Sequence, residues 1–152
     1  MNVTIEVKAR METAQHILHH ILVEDYGAKQ TGMQIHDDKI RLDVKSKVDL
    51  TLISVEELEE KVNNIIRKKL DVTIKTYSRN MIPQEIDVSS VPPHIEDIRI
   101  VSIGDYDTQP CGNMHVSNTS EIGVYRIINI RRNGRDVYSL QGTVLNEATS
   151  YS

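Results

Sequence analysis

Cys111 and His115, in the order Cys-x-x-x-His, place a thiol and an imidazole where a tight turn can aim both at one metal ion. Thiolate sulfur and imidazole nitrogen are the ligands zinc favours, at about 2.3 Å and 2.0–2.1 Å. The spacing alone is a weak signal, and the single cysteine, Cys111, has a second reading as a small buried hydrophobe. With one cysteine, no intrachain disulfide can form. His16 and His20 stand at i and i+4, on one face if the segment is helical. His19, His36 and His94 have no partner at ligand spacing and read as surface residues. Gln30 and Thr31 read as loop residues after a helix, Asp38 as a strand start and Arg41 as an outward charge.

The elements that must position these groups follow from hydrophobic periodicity. Residues 3–9 alternate, with Val3, Ile5 and Val7 on one side, and predict a half-buried strand. From about Glu12 to Tyr26 the spacing of Ala14, Ile17, Leu18, Ile21 and Leu22 predicts a helix, stopped by Gly27. Ile40-Leu42-Val44 and Val48-Leu50-Leu52 predict two more strands. Ser54 followed by Glu57 has the form of a capping box. The helix it opens carries Leu58, Val62, Ile65 and Ile66 on one face and ends near Leu70. A strand is expected at 72–77, a long surface connection from Ser78 to Glu96 with Pro83, Pro92 and Pro93, and a strand at 98–101. Beyond a polar stretch around Cys111, strands at 124–130 and 136–140 flank Asn133-Gly134, a tight-hairpin signal. The result is an α+β fold, a mostly antiparallel sheet with two main helices. We expect a single domain over 1–152, with its core at about 3–141 and a frayed tail at 142–152.

Composition narrows the function classes. At 152 residues with 39% hydrophobic and 26% charged residues, the chain can bury a core without disulfide staples. No run approaches the roughly 20 apolar residues of a membrane span, and the start lacks a signal-peptide pattern. A cytoplasmic location with no membrane partner is expected. The net charge of -4 argues against non-specific coating of DNA or RNA, and with no Trp or Phe a broad base-stacking platform is not expected. The basic groups Arg67-Lys68-Lys69 and Arg131-Arg132 with Arg135 read as solvated faces.

Cys111-Gly112-Asn113-Met114-His115-Val116-Ser117-Asn118-Thr119-Ser120-Glu121-Ile122-Gly123 resembles the C-G-G-T-H-V-x-N-T-G-E-I-G signature of alanyl-tRNA synthetase editing domains and their free-standing AlaX relatives. Asn113, Met114 and Ser120 depart from it. Residues 10–18, with Thr13, Ala14 and His16, resemble the family's H-T-A-x-H-L-L helix start, except that Glu12 stands where the family has its first histidine. Gln30-Thr31-Gly32 and Asp38-Lys39-Ile40-Arg41-Leu42-Asp43 are similar to its Q-x-G and D-K-x-R-F-D-F stretches, and residues 131–135 fall at its basic hairpin. The resemblance runs from about residue 4 to 141.

By position, the resemblance implies a zinc site of Glu12, His16, Cys111 and His115. Two variants remain open: a three-ligand site with Glu12 as a nearby base, and a shifted site in which His20 joins. A site without metal is a further alternative. The implied activity is hydrolysis of the ester that joins a wrong amino acid, serine, to the 3′ end of alanine tRNA. Gln30 and Glu12 are then the candidate catalytic residues, and Thr31 and Gly32 the candidate substrate-binding residues, with the Thr31 hydroxyl meeting that of serine. A domain that binds tRNA or a synthetase without hydrolysis, and a pure interaction module, are the competing readings.

Overall fold

A computed structural model describes residues 3–146. Helix α1 spans Val3–Tyr26, followed by strands β1 (Lys29–Ile35) and β2 (Ile40–Lys45), helix α2 (Val55–Arg67), and strands β3 (Val72–Ser78), β4 (Asp97–Ile103), β5 (Asp107–Pro110), β6 (Val124–Gly134) and β7 (Val137–Leu145). The strands form two antiparallel sheets, one in the order β1-β2-β7-β6 and the other β3-β4-β5. The expected α+β class holds.

The strand expected at residues 3–9 is instead the first part of α1, 24 residues long. Val7 packs against the core and falls in register with buried Met11, Ala14, Leu18 and Leu22, so its side of the chain continues a helical stripe. The alternation was real but short, and the tertiary contacts of the helix overrode it. Gly27, at φ +64°, stops the helix as expected and lets Ala28 N–H reach back to Leu22 O at 3.1 Å.

The run at 48–52 is not a strand. Asp49 Oδ1 accepts from Thr51 N–H at 2.9 Å, and Ser46 Oγ accepts from Val48 N–H at 3.1 Å, so short polar side chains fold the backbone into turns. Leu50 is buried while Leu52 is 81% exposed. Ser54 does cap α2, accepting from Glu57 N–H at 3.2 Å, and the helix ends at Arg67 rather than Leu70. Two strands had no apolar alternation to announce them: β1, which contains Gln30, Thr31 and Gly32, and β5, beside Cys111.

The hairpin β6–β7 forms, but its two-residue turn is Arg135-Asp136, between the paired Gly134 and Val137, with Asp136 at φ 62°. Asn133 sits at a bulge and donates its side-chain N–H to Ser139 Oγ. Strand β7 continues to Leu145, so Gly142–Leu145 is ladder, not tail; residues 147–152 of the expected tail lie outside the described residues. Gly142 is required because the Tyr125 ring occupies the space a Cβ would take.

The core lies between the helices and one face of the four-stranded sheet. Met11, Ile17 and Leu18 of α1 and Leu58 and Val62 of α2 meet Ile40, Leu42, Tyr125, Tyr138 and Leu140. A buried polar side chain crosses this layer. Asn63, buried on α2, donates to Tyr125 O at 3.1 Å and accepts from Tyr125 N–H at 2.8 Å. It thereby continues the ladder where β6 has no strand neighbour. Asn63→Ala strands two buried backbone groups, so urea unfolding should show a loss of about 2–4 kcal/mol; a loss under about 0.5 kcal/mol would contradict this role.

Candidate functional site

The helical period of α1 puts Glu12 and His16 one turn apart on one face, and that face meets the turn between β5 and β6. His16, Cys111 and His115 each bring a ligand atom into one group, all within 4.8 Å of one another. His115 Nε2 lies 3.4 Å from Cys111 Sγ. Glu12 Oε1 lies 4.0 Å from His16 Nε2 and 3.9 Å from Cys111 Sγ. All four residues named from the sequence therefore converge.

The turn is held from below by the rest of the Cys111–Gly123 motif. Cys111 N–H donates to Arg99 O at 3.1 Å, and Arg99 Nη1 donates to Asn113 O at 2.7 Å. Glu121 accepts from Ser117 N–H and Ser117 Oγ, both at 2.8 Å, and from Asn118 N–H at 3.1 Å. Asn118 Oδ1 in turn accepts from Ser120 N–H, completing a capping box around the short helical turn Thr119–Ile122. Buried Thr119 donates to Ile66 O and accepts from Leu70 N–H, both at 2.9 Å, fastening the turn to the end of α2. Gly123, at φ +86°, leaves no room for a Cβ against Leu145 O. Most of the motif is thus scaffold; Cys111 and His115 supply ligand atoms to the group, and Gly112 and Asn113 border the cavity beside it.

Burial sets the electrostatics. His16 is pushed down to about 3 by burial, with His115 and His19 adding, and His115 to about 4 by burial and Arg99. Both imidazoles are neutral at pH 7, as metal ligands must be. The approach of Glu12 to His16 is therefore not an ion pair. Glu12, 3% exposed, has its carboxyl pushed up by burial, partly offset by the nearby Asn113 side chain. The Cys111 thiol is also pushed up by burial. Glu12 Oε2 and His16 Nδ1 are buried without a hydrogen-bond partner. A buried carboxylate beside a thiol and two neutral imidazoles lacks a positive partner, and a divalent cation at their centre supplies one. The donor set fits zinc.

A cavity of about 200 Å³ opens at this group, lined among others by Glu12, Gln15, His16, His19, Gln30, Met33 and Gln109. Gln30 and Met33, three apart, would face opposite sides of a regular strand. The register shifts between Gln30 and Gly32, and the extra residue, Thr31, brings both side chains to the cavity. Thr31 itself is exposed and does not line it, nor does Gly32, whose missing Cβ makes room for the Asp43 carboxylate. A second cavity, of about 370 Å³, adjoins Cys111 and Gly112 on the side of the 79–96 connection.

The structure separates His20 from the group: its Nδ1 bonds Asp107 Oδ1 at 3.0 Å and its ring packs on Tyr106. The arrangement in which His20 joins the site is not the one formed. His19, read as a surface residue, lines the cavity instead. Asp107, Gln109 and Thr13 were not singled out. Asp107 and Gln109 lie on the polar strand β5, which carries no hydrophobic signal, and Thr13 was visible only as a match within the motif. Among the described residues no helix is long and apolar enough to cross a membrane.

The geometry defines an α+β domain that closes a His/Cys/His group with a polar cavity. Residues 98–138 match the family described as threonyl and alanyl tRNA synthetase second additional domain. The chain is 35% identical over 137 residues to the alanyl-tRNA editing protein AlaX-L of Pyrococcus horikoshii, covering 88% of this chain and 33% of that protein. It is 34% identical over 123 residues to an alanine–tRNA ligase of a Thermoanaerobacter species, covering 79% of this chain and 14% of the ligase. An alanine–tRNA ligase of Methanococcus vannielii is 34% identical over 129 residues, 81% of this chain and 14% of the ligase. The chain belongs to the alanyl-tRNA synthetase editing-domain family. It spans about a third of AlaX-L and a smaller part of the ligases.

Glu121 provides a test of the scaffold. Its pKa is lowered by the Ser117 hydroxyl and by backbone N–H groups, so its stabilisation is present above the unfolded value near 4.5 and fades as pH falls through the folded value. The difference in thermal stability between wild type and Glu121→Gln should be full at pH 7 and shrink below about pH 4.5. A difference independent of pH would contradict it.

Proposed function

We propose that the chain is an editing hydrolase that removes serine from wrongly charged alanine tRNA. The observation that carries this reading is the cavity beside Glu12, His16 and Cys111, with Gln30 projecting into it from the bulged strand. Serine differs from alanine by one hydroxyl, which an apolar synthetic pocket rejects only weakly, so a second hydrolytic sieve is needed.

In this reading the cavity admits the aminoacyl ester, and the second cavity beside Cys111 gives room for the terminal nucleoside. Water attacks the carbonyl carbon, the bond to the ribose oxygen breaks, and serine leaves with its carboxylate as the ribose hydroxyl is restored. The Gln30 amide donates to the carbonyl oxygen as it gains negative charge. Glu12 Oε2, unpartnered and with its pKa raised, takes the proton from the attacking water. Thr31, exposed beside Gln30 at the bulge and outside the cavity, is not placed to meet the serine hydroxyl. Zinc, when held by His16, Cys111 and His115 with Glu12 Oε1 as the fourth donor, would supply positive charge for the ester and an anchor for the 3′ end. Cys111 is a ligand here, not a nucleophile.

Purified protein should carry about one zinc per chain by elemental analysis. It should hydrolyse Ser-tRNA(Ala) while sparing Ala-tRNA(Ala). Cys111→Ala should lose the metal and at least ~100-fold in rate, and Glu12→Gln should lose about 10²–10⁴-fold. Thr31→Val should leave the preference for serine over alanine unchanged, since Thr31 lies outside the cavity. Retention of tRNA without hydrolysis, with Cys111→Ala indistinguishable from wild type, would replace this reading by that of a non-hydrolytic binder.

A further inference from the structure

The Thr13 hydroxyl is fully buried and makes three polar contacts. It donates to Ala9 O at 2.9 Å, accepts from Val116 N–H at 3.2 Å, and lies 3.0 Å from His115 Nδ1. A hydroxyl has one proton to give and two lone pairs to receive. Two oxygens 2.9 Å apart repel unless a proton lies between them, so the Thr13 proton points at Ala9 O. Val116 N–H takes one lone pair. The place that remains can only accept, and the His115 ring must therefore carry its proton on Nδ1.

We propose that Thr13 is a positioning residue that fixes His115 in the Nδ1–H tautomer, leaving the Nε2 lone pair to face Cys111 and the ligand group. The opposite tautomer would aim an N–H at that group and could not ligate until it shifted. A metal-bound histidine commonly has its second nitrogen held in this manner, because the hydrogen bond fixes both ring orientation and basicity. The geometry adds a second consequence. Val116 follows His115 directly, so the same oxygen that orients the ring also fixes the backbone beside it to α1. The helix thereby sets the distance between His16 and His115, whose ring centroids are 4.5 Å apart. Thr13 acts through His115 and touches neither substrate nor metal.

The proposal rests on the zinc reading of the site, and the test separates the two. Nitrogen-15 NMR of the metal-free protein should show His115 with its proton on Nδ1. Competition with a chromophoric chelator should show zinc affinity about 10–100-fold weaker for Thr13→Val than for wild type. Thr13→Ser, which keeps the oxygen, should recover most of that loss, and thermal unfolding of each metal-free variant confirms that it is folded. An Nε2–H tautomer in the wild type, or Thr13→Val binding zinc as the wild type does, would overturn the assignment to Thr13 while leaving the metal site in place. A folded wild type that takes no zinc would overturn both.

Discussion

The site depends on the contact between one face of α1 and the turn at Cys111–His115. These segments are about a hundred residues apart in the chain, and the Thr13 hydroxyl joins them through Val116 and His115. Arg10 adds a second tie, its Nε donating to Ile122 O at 2.9 Å. Between these anchors the 3.6-residue period leaves little freedom: with Thr13 against Val116, Glu12 and His16 must face the thiol. Packing of Met11, Ala14 and Leu18 against the sheet fixes the phase of the helix from the other side. The ligand group is thus a by-product of core packing and one hydroxyl.

Glu12 gives this site a different charge from one with a histidine at that position. A divalent ion with one thiolate and neutral imidazoles retains net positive charge, whereas an added carboxylate brings the total to zero. Such a centre is a weaker Lewis acid. The same carboxylate places an oxygen without a partner at the cavity. On the proposed reading, a single side chain would both reduce activation through a bound ion and provide a base beside it.

Much of this was legible in the residues, for physical reasons that differ by element. The stripe from Ala14 to Leu22 and the Ser54–Glu57 cap are local signals, since helix faces and caps are set within a few residues. Val3–Ala9 misled because a strand-like alternation over seven residues cannot be told from one edge of a helical stripe until the helix beyond it is seen to continue. Strands β1 and β5 were invisible because their residues are mostly polar; they are strands because β2 and β4 offer them hydrogen-bonding edges. The convergence of Glu12, His16, Cys111 and His115 was reached through family likeness, not through spacing. The bulge at Thr31, which decides what lines the cavity, arises from pairing with β2 and has no local signature.

On the proposed reading, three side chains from two distant segments share one ion. X-ray absorption at the zinc edge of the loaded protein measures this directly, because sulfur and light-atom neighbours scatter differently. One sulfur at about 2.3 Å and two imidazole nitrogens at about 2.0–2.1 Å are expected, with oxygen completing the shell. A shell of oxygen and nitrogen without sulfur would contradict it.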